Sequence, residues 1–482
     1  MFFYGFAAFL MLAPLFKAGN RPLPLLLLEL AALGFLLTVV AVHRATIELP
    51  RTVAVAIGVL VVYPLVQLIP LPEFVWRALP GHGEYASVLE RYAGDAGAHA
   101  WRAISVIPTA TEYGWLALLP PLACFACALR LLSAQVARLM LLFAILAGAE
   151  GVLGLLQVGP SGGGMLYFGN EEPGQHVAIG TFVNRNHLAA LLAMSLPVIV
   201  SLVVVSRHSV RGVHGRTTIA PPSEIMAKRT LLFALAVMIL ICLFFTRSRA
   251  GIATGTLGLA CSAFVLARAR VARAEASRAR FVGYVVLGIA LLSIGIALAL
   301  GTRPLLRVLE AGQLQASADF RWAIYAATLR GATAFLPFGS GLSTYAEVFP
   351  RFQIADVGGF IDYAHNDYLQ AWMELGLAAP VIVLLLFAAW CSRLSALLRA
   401  RADRSFTLLQ LGAGLAMVPM MLHSMFDFAL HMPGNAMWFA SLAGMMFHPG
   451  SDERSQAGGQ ARYREALLEP VGHRALEAAI EP

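Results

Sequence analysis

The chain has 482 residues, 59% of them hydrophobic and only 13% charged, with a mean hydropathy of +0.73. That balance cannot be wrapped into a water-facing surface, so it excludes a soluble globular protein and predicts a polytopic membrane protein. The formal net charge of +8 is not a nucleic-acid signature, because the basic residues crowd into short loops where they anchor the chain against anionic headgroups.

Apolar runs near the spanning length of about 20 residues fall at about 2–16, 22–42, 52–70, 112–132, 138–158, 187–206, 230–246, 250–267, 281–300, 372–392, 405–424 and 433–448. An unpaired backbone amide in hydrocarbon costs several kcal/mol, and no run shows the alternation of barrel strands. The expected fold is therefore an all-α integral membrane protein of about twelve transmembrane helices. The first run lacks a basic start and a small-residue cleavage site, so it is expected to stay as the first helix. One membrane domain is expected over 1–449 and a solvated tail over 450–482.

With both termini inside, 22 of the 35 Lys and Arg residues fall on the inner face. This is the bias that orients membrane helices. It puts the tail in the cytoplasm and the connections 71–111, 159–186 and 301–371 outside, with the short turns near Arg247 and Asp427. Lys17 and Arg21 run against the rule. All five cysteines lie in or at the edge of apolar runs, so Cys124 and Cys127 read as small packing residues. Neither a disulfide nor a metal site is expected.

The connection 301–371 is too long to be a mere turn, and loops of that length usually carry function. Within it, DFRWAIYAATLRGATA (Asp319–Ala334) has helical apolar spacing and predicts a surface helix over the bundle. LPFGSGLSTYAEVFPRF is rich in Gly and Pro and predicts that the chain folds back before YAHNDYLQAWMELGL. There Asn366 or Asp367 can cap the next helix, and Asp367 with Gln370 resembles a capping box. His365 is either a bystander at that helix start or a proton acceptor, since a helix N-terminus disfavours imidazolium and keeps the ring neutral.

A second constellation is FFTRSRAGI, with Arg247 and Arg249 in a turn between two apolar helices. A third is GTFVNRNHLAALL, where Arg185 stands beside Asn184, Asn186 and His187. Arginines on the outer face have no topological reason to be there, whereas their paired N–H groups suit pyrophosphate oxygens. The bland alternative is that Arg247 snorkels to headgroups and Arg321 lies on a solvated helix face. Glu150, in an apolar run, is expected to pair with one of these arginines or with polar groups of the bundle.

Taken in order, GTFVNRNHLAALL, LFFTRSRAGI, DFRWAIYAA with LPFGSGLSTY, YAHNDYLQAWMELGL and HSMFDFALHMP resemble the O-antigen ligase and polymerase superfamily of bacterial envelope glycosyltransferases. The likeness covers about Gly180 to Pro433. It implies a GT-C-like, metal-independent, inverting membrane enzyme without a cofactor. Such an enzyme moves a glycan from an undecaprenyl-pyrophosphate carrier to a lipid A-core, polysaccharide or protein acceptor at the periplasmic face of the inner membrane. The resemblance assigns catalytic roles to Arg249, Arg321 and His365. Arg247, Arg185, Asn366 and Asp367 are expected substrate contacts, with Asp367 and Glu374 as fallback bases. The ligase branch has a spaced pattern that His365, Asn366 and Gly376 match but Ala379 does not, so a polymerase stays open. A transporter, or a flippase of lipid-linked oligosaccharide, is the rival class; it would place its polar groups in a central cavity.

Overall fold

The computed structural model describes residues 1–15, 17–42, 49–93, 101–159, 177–182, 184–206, 210–211, 217–218, 222–271, 311–354, 359–400 and 404–450. The expected span 281–300, the inner loop 268–280 beyond Val271, and the tail beyond Gly450 lie outside the described residues. Helices account for nearly all the regular structure, since each apolar run must satisfy its own backbone polar groups. The longer ones are α1 Phe2–Leu12, α2 Pro22–Val42, α3 Arg51–Gln67, α4 Glu73–Ala78, α5 Gly83–Ala93, α6 Pro108–Leu116, α7 Leu119–Ala128 and α8 Ser133–Val158. The series continues with α9 Arg185–Val205, α10 Pro222–Phe245, α11 Arg249–Val271, α12 Ala311–Ala334, α13 Asp367–Leu375, α14 Ala378–Arg399, α15 Arg404–His423 and α16 Pro433–Phe447. Two-residue strands β1 (Pro70–Leu71) and β2 (Arg102–Ala103) pair antiparallel, as do β3 (Val210–Arg211) and β4 (Thr217–Thr218).

Among the described residues, seven helices are long and apolar enough to cross a membrane. The chain is thus an all-α, multi-pass membrane protein. Two of the expected spans have different bounds in the structure. The run 112–132 is two short helices, α6 and α7, because Pro120 and Pro121 remove amide donors where a single helix would need them. The tenth span begins at Ala378, after a break from α13 at Gly376. Gly376 has φ +56°, and a Cβ there would lie 2.1 Å from the Pro337 carbonyl oxygen, so only glycine fits.

The central helix is α9, buried from His187 to Leu202 and packed on α8, α10, α11 and α15. It can be enclosed because its neighbours offer small residues. Gly251, Gly255 and Gly258 of α11 face Ala189, Ala193 and Pro197 of α9, the close approach that small residues permit in membranes. This matched spacing runs α9 and α11 parallel and brings their N-termini level at one end of the bundle. At the opposite end the Arg393 guanidinium donates to the carbonyls of Met446 and His448, and a His448 ring nitrogen lies 2.6 Å from the Leu131 carbonyl.

A cap covers the α9 and α11 N-terminal end. Its own apolar core joins Ile324, Phe335, Tyr345, Phe349, Ile361 and Met373, with Tyr85 and Ile107 against it. The expected surface helix is α12, and it begins earlier than sequence spacing suggests, at Ala311. The predicted fold-back after it is a backbone clasp on α13: Ser340 N–H donates to the Met373 carbonyl, Gly341 N–H to Glu374 and Leu377 N–H to Pro337.

Candidate active site

Three capped helix starts meet beneath the cap. The Asn184 side chain accepts from Asn186 N–H at the start of α9, at 2.9 Å. Ser248 Oγ accepts from Gly251 N–H at the start of α11, at 3.2 Å. Asn366 Oδ1 accepts from Tyr368 and Leu369 N–H at the start of α13, at 3.1 and 3.0 Å. Each places a polar or charged residue in its first turn, and together their dipoles give this end a positive potential.

Asp427 stands at the centre. It sits in the turn between α15 and α16 and is 1% exposed. Its Oδ1 lies 3.8 Å from His187 Nε2 and 3.7 Å from His365 Nδ1, and its Oδ2 lies 3.8 Å from an Arg321 guanidinium nitrogen. Asn186 Nδ2 donates to Oδ2, and Phe428 N–H donates to Oδ1. Burial by itself raises this carboxyl's pKa. The facing imidazoles of His187 and His365, with His423 behind, outweigh burial and hold it well below the ordinary carboxylate range. It is a buried, ionised anchor for surrounding donors.

His365 is part-exposed, and its ring packs edge-on to Phe428 at 5.1 Å. Its backbone is left-handed, with φ +52°, a conformation that a bulky residue adopts only when held. The holder is Tyr325 of α12, whose hydroxyl donates to the His365 carbonyl at 2.8 Å. Arg185 lies within electrostatic range of Arg321, Arg249 and Asp427. The structure therefore brings Arg185, Arg249, Arg321 and His365 to one region. Arg247 occupies the turn before α11, also with positive φ, and is half-buried.

The other expected contacts are used differently. Asn366 is the helix cap, and its Nδ2 donates to the Met425 carbonyl at 3.0 Å. Asp367 does not form the expected capping box with Gln370. Its Oδ1 takes His431 Nδ1 at 2.6 Å, its Oδ2 accepts from Leu430 N–H, and its own N–H donates to the Ser424 carbonyl. Burial opposes a charge on His431, but the hydrogen bond and charge of Asp367, with Glu374 nearby, raise its pKa. Glu374 is fully enclosed, accepts from Ser343 N–H and Gln370 Nε2, and is pushed up by burial. These contacts lock the helix behind His365 onto the turn carrying Asp427. Of the two fallback bases, Asp367 is occupied in that lock and Glu374 in bonds to the cap loop and to its own helix. Glu150 pairs with no arginine among the described residues; its partner is Thr181.

Residues 233–388 match the family model for O-antigen ligase. Over those residues the chain is similar to the O-antigen ligase family. That segment contains Arg247, Arg249, Arg321, His365, Asn366 and Asp367, while Arg185, His187 and Asp427 flank it. The family implies glycan transfer of the ligase or polymerase type, with lipid-linked glycan and polysaccharide as substrates. No curated protein matches the chain. Sequence reasoning passed over Asp427 and His187 as candidate site residues; the available signal was a lone acid in HSMFDFALHMP between two apolar runs.

Proposed function

We propose that the chain transfers a glycan from an undecaprenyl-pyrophosphate carrier to an acceptor at the periplasmic face of the bacterial inner membrane. The acceptor is a lipid A-core, a growing polysaccharide or a protein. The observation that carries this reading is the convergence of Arg321 and His365 on the buried Asp427, with Arg185 and Arg249 in range. A charged cluster at one end of the bundle, under a cap, suits transfer between two substrates that meet there. A flippase needs its charges along a path through the bundle.

In the proposed mechanism Asp427 holds the proton of His365 on Nδ1, leaving Nε2 as the basic lone pair. The 3.7 Å separation is longer than a formed hydrogen bond, and such contacts tighten when substrate binds. Nε2 takes the proton of the acceptor hydroxyl as its oxygen attacks the anomeric carbon. The bond from that carbon to the pyrophosphate breaks, and the electron pair leaves with the pyrophosphate. Arg249 and Arg321, with Arg185 and Arg247, stabilise the charge that builds on it. A single displacement of this kind inverts the anomeric centre. Guanidinium groups supply the positive charge, so the step is proposed to be metal-independent.

The departure at Ala379 from the ligase pattern favours a second reading, that the acceptor is a growing polysaccharide and the chain is a polymerase. Deleting the gene and analysing carrier lipid separates the two. Long polymer stranded on the carrier supports a ligase, and single repeats support a polymerase. Unchanged carrier lipid and unchanged surface glycan would contradict both.

A further inference from the structure

The loop leading into α9 is held by a buried acid with no role in the proposed chemistry. Glu150 of α8 is 2% exposed. Its Oε2 accepts from Thr181 N–H at 2.9 Å, and its Oε1 lies 2.7 Å from Thr181 Oγ1. The same Thr181 Oγ1 lies 2.8 Å from the carbonyl oxygen of Pro14, in the turn between α1 and α2. Two helical turns further along α8, Gln157 Oε1 accepts from Ile179 and Gly180 N–H, and its Nε2 donates to the Gly180 carbonyl. Gly180 has φ +60°, and a Cβ there would lie 2.3 Å from Glu150 Oε2.

A threonine hydroxyl has one proton to give. Here it has two oxygen neighbours at hydrogen-bond distance, a carboxyl oxygen and a carbonyl oxygen. The carbonyl can only accept. If Glu150 were ionised, one of the two short oxygen contacts would hold no proton and would set lone pairs against each other in a buried site. A proton on Oε1 resolves the count: Oε1–H donates to Thr181 Oγ1, Thr181 Oγ1–H donates to the Pro14 carbonyl, and Oε2 stays an acceptor for Thr181 N–H. Among the described residues no ion pair reaches Glu150, so only its contacts with Thr181 stand against the cost of a buried charge.

We propose that Glu150 is a neutral carboxylic acid and a positioning residue. It donates through Thr181 to the α1–α2 turn and so fixes the 177–182 segment that sets Arg185, Asn186 and His187 against Asp427. The positional consequence for transfer rests on the function proposed above; the protonation does not. Glutamine reproduces the donor to Thr181 Oγ1 and the acceptor for Thr181 N–H, whereas alanine reproduces neither.

The test uses the purified full-length chain and two readouts. In an infrared difference spectrum at neutral pH, wild type against Glu150→Gln, the loss of one protonated carboxylic C=O band is expected, with carboxylate bands unchanged. Loss of a carboxylate band instead would overturn the proposal whatever reaction the protein performs. Glu150→Gln is expected to keep the thermal midpoint and to hold glycan transfer within about twofold of wild type. Glu150→Ala and Thr181→Val, which each strand a buried partner, should lower both. A Glu150→Gln protein that misfolds or loses transfer as Glu150→Ala does would also overturn it, because the neutral acid and the amide should then have been interchangeable.

Discussion

His365 Nδ1 faces Asp427 Oδ1 at 3.7 Å, across the seam where the cap meets the membrane bundle. The histidine comes from the cap, at the end of a loop that Tyr325 holds in a left-handed turn. The carboxylate comes from the bundle, in the turn between α15 and α16. The dyad exists only when cap and bundle are docked, and Asp367 with His431 clamps that docking from behind.

Asp427→Asn tests the anchor. The amide keeps the shape but cannot hold the His365 proton by charge, so transfer should fall by at least about 10²-fold. The pH dependence has a definite sign. A carboxyl whose folded pKa is depressed contributes stability above its ordinary pKa and loses it as pH falls through the depressed value. The gap in thermal midpoint between wild type and Asp427→Asn should therefore stay flat near neutrality and close only in strong acid. A gap that closes just below neutral pH would mean that a histidine sets it.

Arg321 distinguishes charge from geometry. Lysine keeps the charge but loses the paired N–H fork that matches phosphate oxygens. Arg321→Lys should lose about 10-fold in transfer and Arg321→Ala about 10²- to 10³-fold, with the loss mainly in kcat since the charge develops in the transition state. Steady-state kinetics on lipid-linked glycan checks the order. Equal activity in both variants would assign Arg321 to the solvated face of α12.

Tyr325→Phe removes the hydroxyl that donates to the His365 carbonyl at 2.8 Å. The expected cost is about 1 kcal/mol in stability, typical of one hydrogen bond. Transfer should drop by less than the His365 variant shows, because the ring stays and only its holder is weakened. Thermal melts and initial rates on the same preparation measure both.

The extent to which this arrangement could be read in advance depends on how local each signal is. Spans such as α8, α9 and α15 are continuous apolar runs and stand out without any partner. The arginine turns and the His365 segment stand out too, because charge beside a span is costly and so informative. The break between α6 and α7 was legible in Pro120 and Pro121, but apolar content masks it when hydropathy alone is counted. Asp427 was hidden for another reason. In the sequence it is one acid in a short turn, and its meaning comes from His187, Arg321 and His365, each supplied by a different element. Asp367 illustrates the converse: its neighbours in sequence suggest a cap, yet the fold hands it to His431, and Asn366 takes the cap. Among the described residues Glu150 meets Thr181 and no arginine, because the loop from Val177 to Phe182 folds back onto α8, which no local pattern announces.

In the proposed reaction His365 removes the acceptor proton while the arginines receive the pyrophosphate. Single-turnover transfer by the purified full-length chain, wild type against His365→Asn, tests it most directly. Asparagine tolerates the left-handed backbone at this position, so the variant should melt as wild type does. Its transfer rate should fall by about 10²- to 10⁴-fold, as for loss of a general base, while lipid-linked substrate still binds. A folded His365→Asn protein that transfers glycan at the wild-type rate would contradict the account.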